Sequence, residues 1–208
     1  MTPPKSKPPE RDLSPEKTQA ILEGAMQEFL ERGFTAATMD RVASAAGVSK
    51  ATVYSHFQDK EGLFAALIQQ MVQKKFQSIF APQNDQMLQE EPEVVLRRLA
   101  TIALSVGTND PQFLNFLRLI IGESGRFPQL AQAFVRNIEK TSFSMLRQYF
   151  SSCPKLKLRD PEATARVFIG ALIHFMIVQE MLHGKDIIPM ERDRLVDTLI
   201  ELITSQAL

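Results

Sequence analysis

MDRVASAAGVSKATVYSHF, residues 39–57, reads as two short helices joined by a tight turn. Val42, Ala43 and Ala46 share one face of the first helix, and Ala43 is small enough to let a second helix cross close by. Gly47 then supplies a residue able to take the left-handed conformation that ends a helix. Val48 tucks the turn inward. Ser49 suits the N-cap of the second helix, while Val53 and Phe57 recur at i, i+4 on its buried face. Ala43, Gly47 and Val53 together are what two helices crossing at about 90 to 120° demand. An ordinary hairpin inside a helical core is the competing reading, but it gives no reason for Lys50, Ala51, Thr52, Tyr54 and His56 to be left outward together. The stretch is a helix-turn-helix, and it points to DNA.

The 208-residue chain has 44% hydrophobic residues, ample for a packed core, and its 24 basic and 24 acidic residues cancel. Bulk charge therefore argues neither for nor against nucleic acid, and any DNA contact must be local. Cys153 is the single cysteine. It cannot form an internal disulfide, and no charged-then-apolar leader opens the chain, which together predict the reducing cytoplasm. The apolar run Val167 to Val178 is shorter than the roughly 20 residues needed to cross a bilayer, so a buried helix is expected there and no membrane. MTPPKSKPPERD, with four prolines, predicts a disordered arm over residues 1–13.

Every sizeable segment has helical period, so the expected fold is all-α. Ser14, Pro15 and Glu16 give a cap, a first-turn proline and a favourable acid, opening a helix that carries Ile21, Leu22, Ala25, Met26, Phe29 and Leu30 and ends at Gly33. Thr38 caps the first helix of the helix-turn-helix. Lys60 to Phe80 is a long helix with Leu63, Phe64, Leu67, Ile68, Met71, Val72 and Phe76 on its apolar side. A cation at its first turn is disfavoured by the helix dipole, which a DNA phosphate at Lys60 would reconcile. Pro82 and QNDQMLQEEP read as a connector. Helices then follow over Pro92–Val106, Gln112–Glu123, Pro128–Tyr149, Pro161–Leu182 and Met190–Ser205.

Residues 15–64, centred on TMDRVASAAGVSKATVYSHFQDKEGLF, resemble the DNA-binding domain of the TetR family of transcriptional regulators. Arg118 to Val135, RLIIGESGRFPQLAQAFV, resembles the ligand-binding domains of AcrR-like and AefR-like members, which commonly carry a Glu and then Arg-Phe-Pro between two helices. The resemblance implies three parts: the arm, a three-helix DNA-binding domain over 14–60, and a helical regulatory and dimerisation domain over 61–208. Ala51 stands where Gly is frequent, and Ser55 where an aromatic or His often stands, departures that bear on which bases are read.

Chemistry of other kinds finds little footing. His56, His174 and His183 are too scattered for a metal site, no Gly-rich phosphate loop exists, and Gly122-Glu123-Ser124-Gly125 has its Ser in the wrong register for a nucleophile elbow. No cofactor, metal or catalytic residue is expected, and the protein is read as no enzyme. Thr38, Ser49, Lys50, Ala51, Thr52, Tyr54, His56 and Lys60 are the expected DNA contacts: Lys50, Thr52 and Tyr54 at base edges, and Thr38, His56 and Lys60 at phosphates. Phe113, Phe116, Leu117, Ile120, Phe143 and Phe168 are expected around a small apolar effector, Phe134, Met145, Ile173 and Met176 are further candidates for lining an apolar cavity, and His174 is either bonded to ligand or partner or satisfied inside the core. A homodimer is expected because Pro161–Leu182 is apolar nearly all round, with Leu195, Val196, Leu199, Ile200, Leu202 and Ile203 as a second stripe. The reading is a ligand-responsive repressor on a near-palindromic operator. A helical carrier or interaction module that touches no specific DNA is the alternative.

Overall fold

The computed structural model describes residues 14–76 and 84–205, which divide into two units at Leu67/Ile68. Among the described residues there are helices and turns but no strand.

The first unit holds α1 (Pro15–Ala36), α2 (Met39–Ala45), α3 (Lys50–His56) and the opening of α4 (Lys60–Phe76). Ser14 caps α1 by accepting from the Lys17 amide, and Gly33 breaks the helix with φ +73°. Ile21, Ala25, Phe29, Val42, Val53, Leu63 and Phe64 are all buried. Phe29, Phe34 and Phe64 lock together, with centroid separations of 5.6, 5.2 and 5.4 Å in one stacked and two edge-on pairs. Such pairs add to the stabilisation from burial. The aromatic of the turn after Gly33 is thereby pinned between the first helix and the fourth.

Gly24, in the middle of α1, marks where the chain comes closest to α2. A Cβ there would sit 2.8 Å from the Ala46 amide nitrogen and 3.1 Å from the Val42 carbonyl. Glu28, also on this face, is buried and lies 3.4 Å from Arg32 and 3.8 Å from Arg41 of α2. A buried carboxylate needs such partners to offset its lost hydration.

The second unit contains α5 (Asn84–Gln89), α6 (Pro92–Asn109), α7 (Pro111–Glu123), α8 (Pro128–Phe134), α9 (Lys140–Ser152), α10 (Pro161–Phe175) and α11 (Arg192–Thr204). Pro92, Pro111, Pro128 and Pro161 each stand in the first turn of a helix, where a missing N–H costs nothing. Asp110 and Asp160 cap α7 and α10 through the Phe113 and Ala163 amides, both at 2.9 Å. The core is built from α6, α9, α10 and α11, with Leu96, Leu104, Phe150, Phe168, Leu172, Leu199 and Ile200 at its centre.

Three details differ from the sequence reading. The expected connector contains α5, because Gln, Met and Leu are good helix formers and Met87 and Leu88 pack against the core. A π-helical turn, Val135–Glu139, separates α8 from α9 where one helix was expected, and a second, Met176–Met181, extends α10. Pro161–Met181, 21 residues of mean hydropathy 1.4, is long and apolar enough to cross a membrane by length and composition, yet only 22% of that window is buried. Expected to be buried, α10 in fact commits one face, Ala165, Phe168, Leu172 and Phe175, to the unit's core and leaves Val167, Gly170 and His174 exposed. The arm 1–13 and the expected end of α4 near Phe80 lie outside the described residues.

Candidate DNA interface and effector cavity

The turn between α2 and α3 is built as its sequence demands. Gly47 has φ +65°, and the Val48 amide donates to the Ala43 carbonyl at 3.0 Å. Ser49 Oγ accepts from the Thr52 amide at 3.1 Å and lies 2.8 Å from Thr52 Oγ1. With Val53 buried, the face that remains carries Ser49, Lys50, Ala51 and Tyr54 exposed, with Thr52 half-buried beside them. Tyr54 is 47% exposed, with its ring on the open side of the helix beside Lys50. Lys50 Nζ reaches both Asp40 oxygens at 2.7 Å, and this hydrogen bond and charge raise its pKa above the ordinary lysine value. Both groups are exposed, so the pair contributes little to stability and is readily exchanged for another anion or acceptor.

The residues expected at phosphates are placed less uniformly. Thr38 is exposed and its Oγ1 accepts from the Arg41 amide at 3.3 Å, capping α2. His56 is half-buried with Nδ1 2.9 Å from Thr18 Oγ1, which leaves Nε2 as the ring nitrogen for an outside partner. Lys60 takes another set of partners from the one expected. Its ammonium donates to the carbonyls of Phe34 at 2.6 Å, Thr35 at 3.3 Å and Ala37 at 3.0 Å, and lies 4.5 Å from the Phe34 ring centroid. A cation at the start of α4 is disfavoured by its own helix, and here it turns to the carbonyl end of α1 instead. All three donors are engaged there. Sequence reasoning missed this cap because it depends on Gly33 redirecting the chain over Lys60.

In the second unit, α6, α7, α9 and α10 enclose a cavity of about 380 Å³. Phe113, Leu117, Ile120 and Phe168 line it, as expected, together with Phe134, Met145, Ile173 and Met176. Phe116 is buried but does not reach it, and Phe143 lies in a neighbouring groove under Arg166. His174 is corrected as a cavity residue and as a core histidine: it is exposed, lines neither space, and stands on the side of α10 that its own unit leaves uncovered. One residue's rotation along α10 separates it from Ile173, which does face the cavity. Met87, Leu99 and Leu104, from elements the sequence reading did not assign to a site, also line it, as does Tyr149 of α9. Burial pushes the Tyr149 hydroxyl's pKa upward, with the neighbouring Cys153 thiol adding to it. Among the described residues, no group of His, Cys, Asp and Glu is arranged to hold a metal ion.

Two family models fit these two units. The model of bacterial regulatory proteins of the tetR family matches residues 21–67, and that of the AefR-like transcriptional repressor C-terminal domain matches residues 94–205. The chain belongs to the TetR family of transcriptional regulators. It is similar along nearly its whole length to the uncharacterized HTH-type transcriptional regulator YhgD of Bacillus subtilis, at 26% identity over 94% of this chain and 98% of that one. The repressor AcnR of Corynebacterium glutamicum is 49% identical over 49 residues, 24% of this chain and 26% of AcnR. Among solved structures, the flavonoid-responsive regulator FrrA is 28% identical with a TM-score of 0.71, covering 93% of this chain and 97% of FrrA. A TetR-family regulator from Pseudomonas syringae is 27% identical with a TM-score of 0.68, covering 93% and 97%. TetR-family members are non-enzymatic helix-turn-helix regulators, mostly repressors, and this chain is such a regulator of transcription.

Proposed function

We propose that this TetR-family regulator is a repressor that binds a near-palindromic operator as a homodimer and is released by a small, largely apolar molecule. The observation that carries the DNA reading is α3, capped by Ser49 straight after the left-handed turn, with Lys50, Thr52 and Tyr54 on its open side. A helix so presented reaches base edges from its N-terminal part. Thr38 and the Nε2 of His56 take flanking phosphates, and Ser49 and Ala51 approach the backbone and base edges closely. Lys60, its donors engaged inside the unit, acts by holding the end of α1.

Dimerisation is supported by the face of α10 that its own unit leaves open, with Val167 61% exposed, and by Leu202 on α11, 57% exposed. Two-fold symmetry would place half-sites about one helical turn, or a multiple, apart. The 380 Å³ cavity lies within the range that binds small molecules and has an almost wholly apolar wall. FrrA, similar in fold at 28% identity, is described as flavonoid-responsive, which accords with a ligand-gated reading. The effector would have to favour the DNA-free arrangement, and a coupling of about 1 to 3 kcal/mol would weaken operator binding roughly 5- to 150-fold.

The test is nuclease protection of the DNA around the protein's own gene, in excess competitor. A symmetric protected site is expected, lost on adding a ligand that fills the cavity. Binding that competitor DNA abolishes entirely would return the chain to the carrier or interaction reading.

A further inference from the structure

Two spaces in the second unit share a wall. The 380 Å³ cavity is lined by apolar side chains with two serines and Tyr149 among them and no charged residue. Beside it runs an open groove of about 490 Å³, whose lining includes Arg136, Phe143 and Arg166. Val135, Ile169 and Ile173 belong to both linings, so the same three aliphatic side chains stand between an uncharged interior and a groove carrying two guanidinium groups. Val135 is 53% exposed and begins the π-helical turn, so this part of the wall is a surface side chain on irregular backbone. Such turns recur at functional sites because they re-aim a few side chains without ending the helix.

The charged side is partly organised in advance. The Arg166 guanidinium lies over the Phe143 ring, 4.4 Å from its centroid, a cation–π contact that restrains it. Its carboxylate partner, Glu162 at 3.2 Å, is an exposed i, i+4 neighbour, a kind of pair weak enough for an incoming anion to displace. Arg136 is exposed in the same groove. An uncharged apolar molecule would fill the cavity and leave both arginines unused, and a cation would be repelled at the groove.

We propose that the effector is an amphipathic anion, with its hydrocarbon part in the cavity lined by Phe113, Leu117 and Phe168 and a carboxylate-type head held between Arg136 and Arg166. This rests on the effector reading above and adds the charge of the ligand and the residues that select it. Arginine suits the task, since its planar fork matches a carboxylate bidentately.

The experiment is calorimetric titration of the full-length protein with decanoate and with 1-decanol, at pH 7.5 and two ionic strengths. Decanoate should bind roughly three- to thirtyfold tighter than decanol at low salt, as two partly exposed ion pairs allow, and the margin should narrow as salt rises. In the double variant R136Q/R166Q the margin should vanish while decanol affinity stays unchanged, which also shows that the cavity is still folded. Equal binding of the two probes by the natural chain, or a margin that survives in the double variant, overturns the proposal and leaves the apolar effector reading standing. Binding of neither probe overturns both.

Discussion

Gly24→Ala offers a test in which two well-measured effects have opposite signs. In the interior of an exposed helix this change stabilises by about 1 kcal/mol, because glycine loses more backbone freedom on folding than alanine. Position 24 is not exposed. The added Cβ would lie 2.8 Å from the Ala46 amide nitrogen, 3.1 Å from Ala46 Cβ and 3.1 Å from the Val42 carbonyl oxygen. Those first and last atoms are the donor and acceptor of the 2.9 Å hydrogen bond that closes α2. They are backbone, so no rotamer change relieves the clash, and α2 must move off α1 by several tenths of an ångström. Overpacking of this kind costs typically 1 to 3 kcal/mol. Set against the propensity gain, the net expectation is a destabilisation of about 1 kcal/mol, or roughly 2 to 4 °C in melting temperature for a chain of this size. Gly122→Ala is the matched control, because nothing lies within 4 Å of its would-be Cβ, and it should stabilise slightly or do nothing. Thermal unfolding followed by circular dichroism, at one fixed protein concentration, compares the two. Since the displaced hydrogen bond immediately precedes the Gly47 turn, operator affinity should fall for Gly24→Ala even below its melting range. A Gly24→Ala protein that melts at or above the natural one would refute the close approach of α1 and α2.

Lys60→Ala should lower the melting temperature, since it strips a cation from three carbonyls at about 1 to 2 kcal/mol, while leaving the salt dependence of operator binding unchanged; a salt slope flattened by about one unit at unaltered stability would instead assign Lys60 to a phosphate. Lys50→Ala and Tyr54→Ala should alter the preference among operator variants without changing stability, measured by competition between sites that differ in one base pair. Val167→Glu combined with Leu202→Glu should yield monomers by sedimentation at micromolar concentration, and a persistent dimer would remove these faces from the interface.

The last of these substitutions shows where sequence patterning stops. Ile200 reads as a dimer residue because α10 and α11 are apolar on more than one side, and period alone cannot say which side belongs to the helix's own unit. The structure answers by competition: Val196, Leu199, Ile200 and Ile203 are all claimed by the core with α6 and α10, and Ile173 turns to the cavity. What is left on the surface is Val167 and Leu202. A charge at Ile200 would therefore break the fold before it reported on assembly. By contrast the helix-turn-helix was legible almost residue by residue, since Thr38, Gly47 and Ser49 act through local backbone geometry that neighbours only three or four positions away determine.

The same distinction explains partners that the sequence did not disclose. Lys60 and Arg118 are both cations on helices, and both are occupied with distant carbonyls: Lys60 with those of Phe34 and Ala37, Arg118 with those of Glu180 and Met181 at the end of the second π-helical turn. Nothing local specifies these partners. They exist because Gly33 in one unit, and the left-handed His183 in the other, turn the chain so that carbonyls normally spent within a helix point outward. The π-helical turns are equally silent in sequence, since one extra residue per turn hardly alters an apolar period, yet each sets the residues beyond it about 100° out of phase with a plain helix. Val135, at the head of the first such turn, lines both the cavity and the groove with Arg136 beside it, and Met176 and Ile177, at the head of the second, line the cavity. The cavity wall that Phe113, Leu117 and Ile120 form follows from helical spacing, as does the face expected to meet DNA. Substituting residues of α3 or α7 should accordingly have effects that follow from the helix pattern, whereas those of Val135 follow from the irregular backbone that it begins.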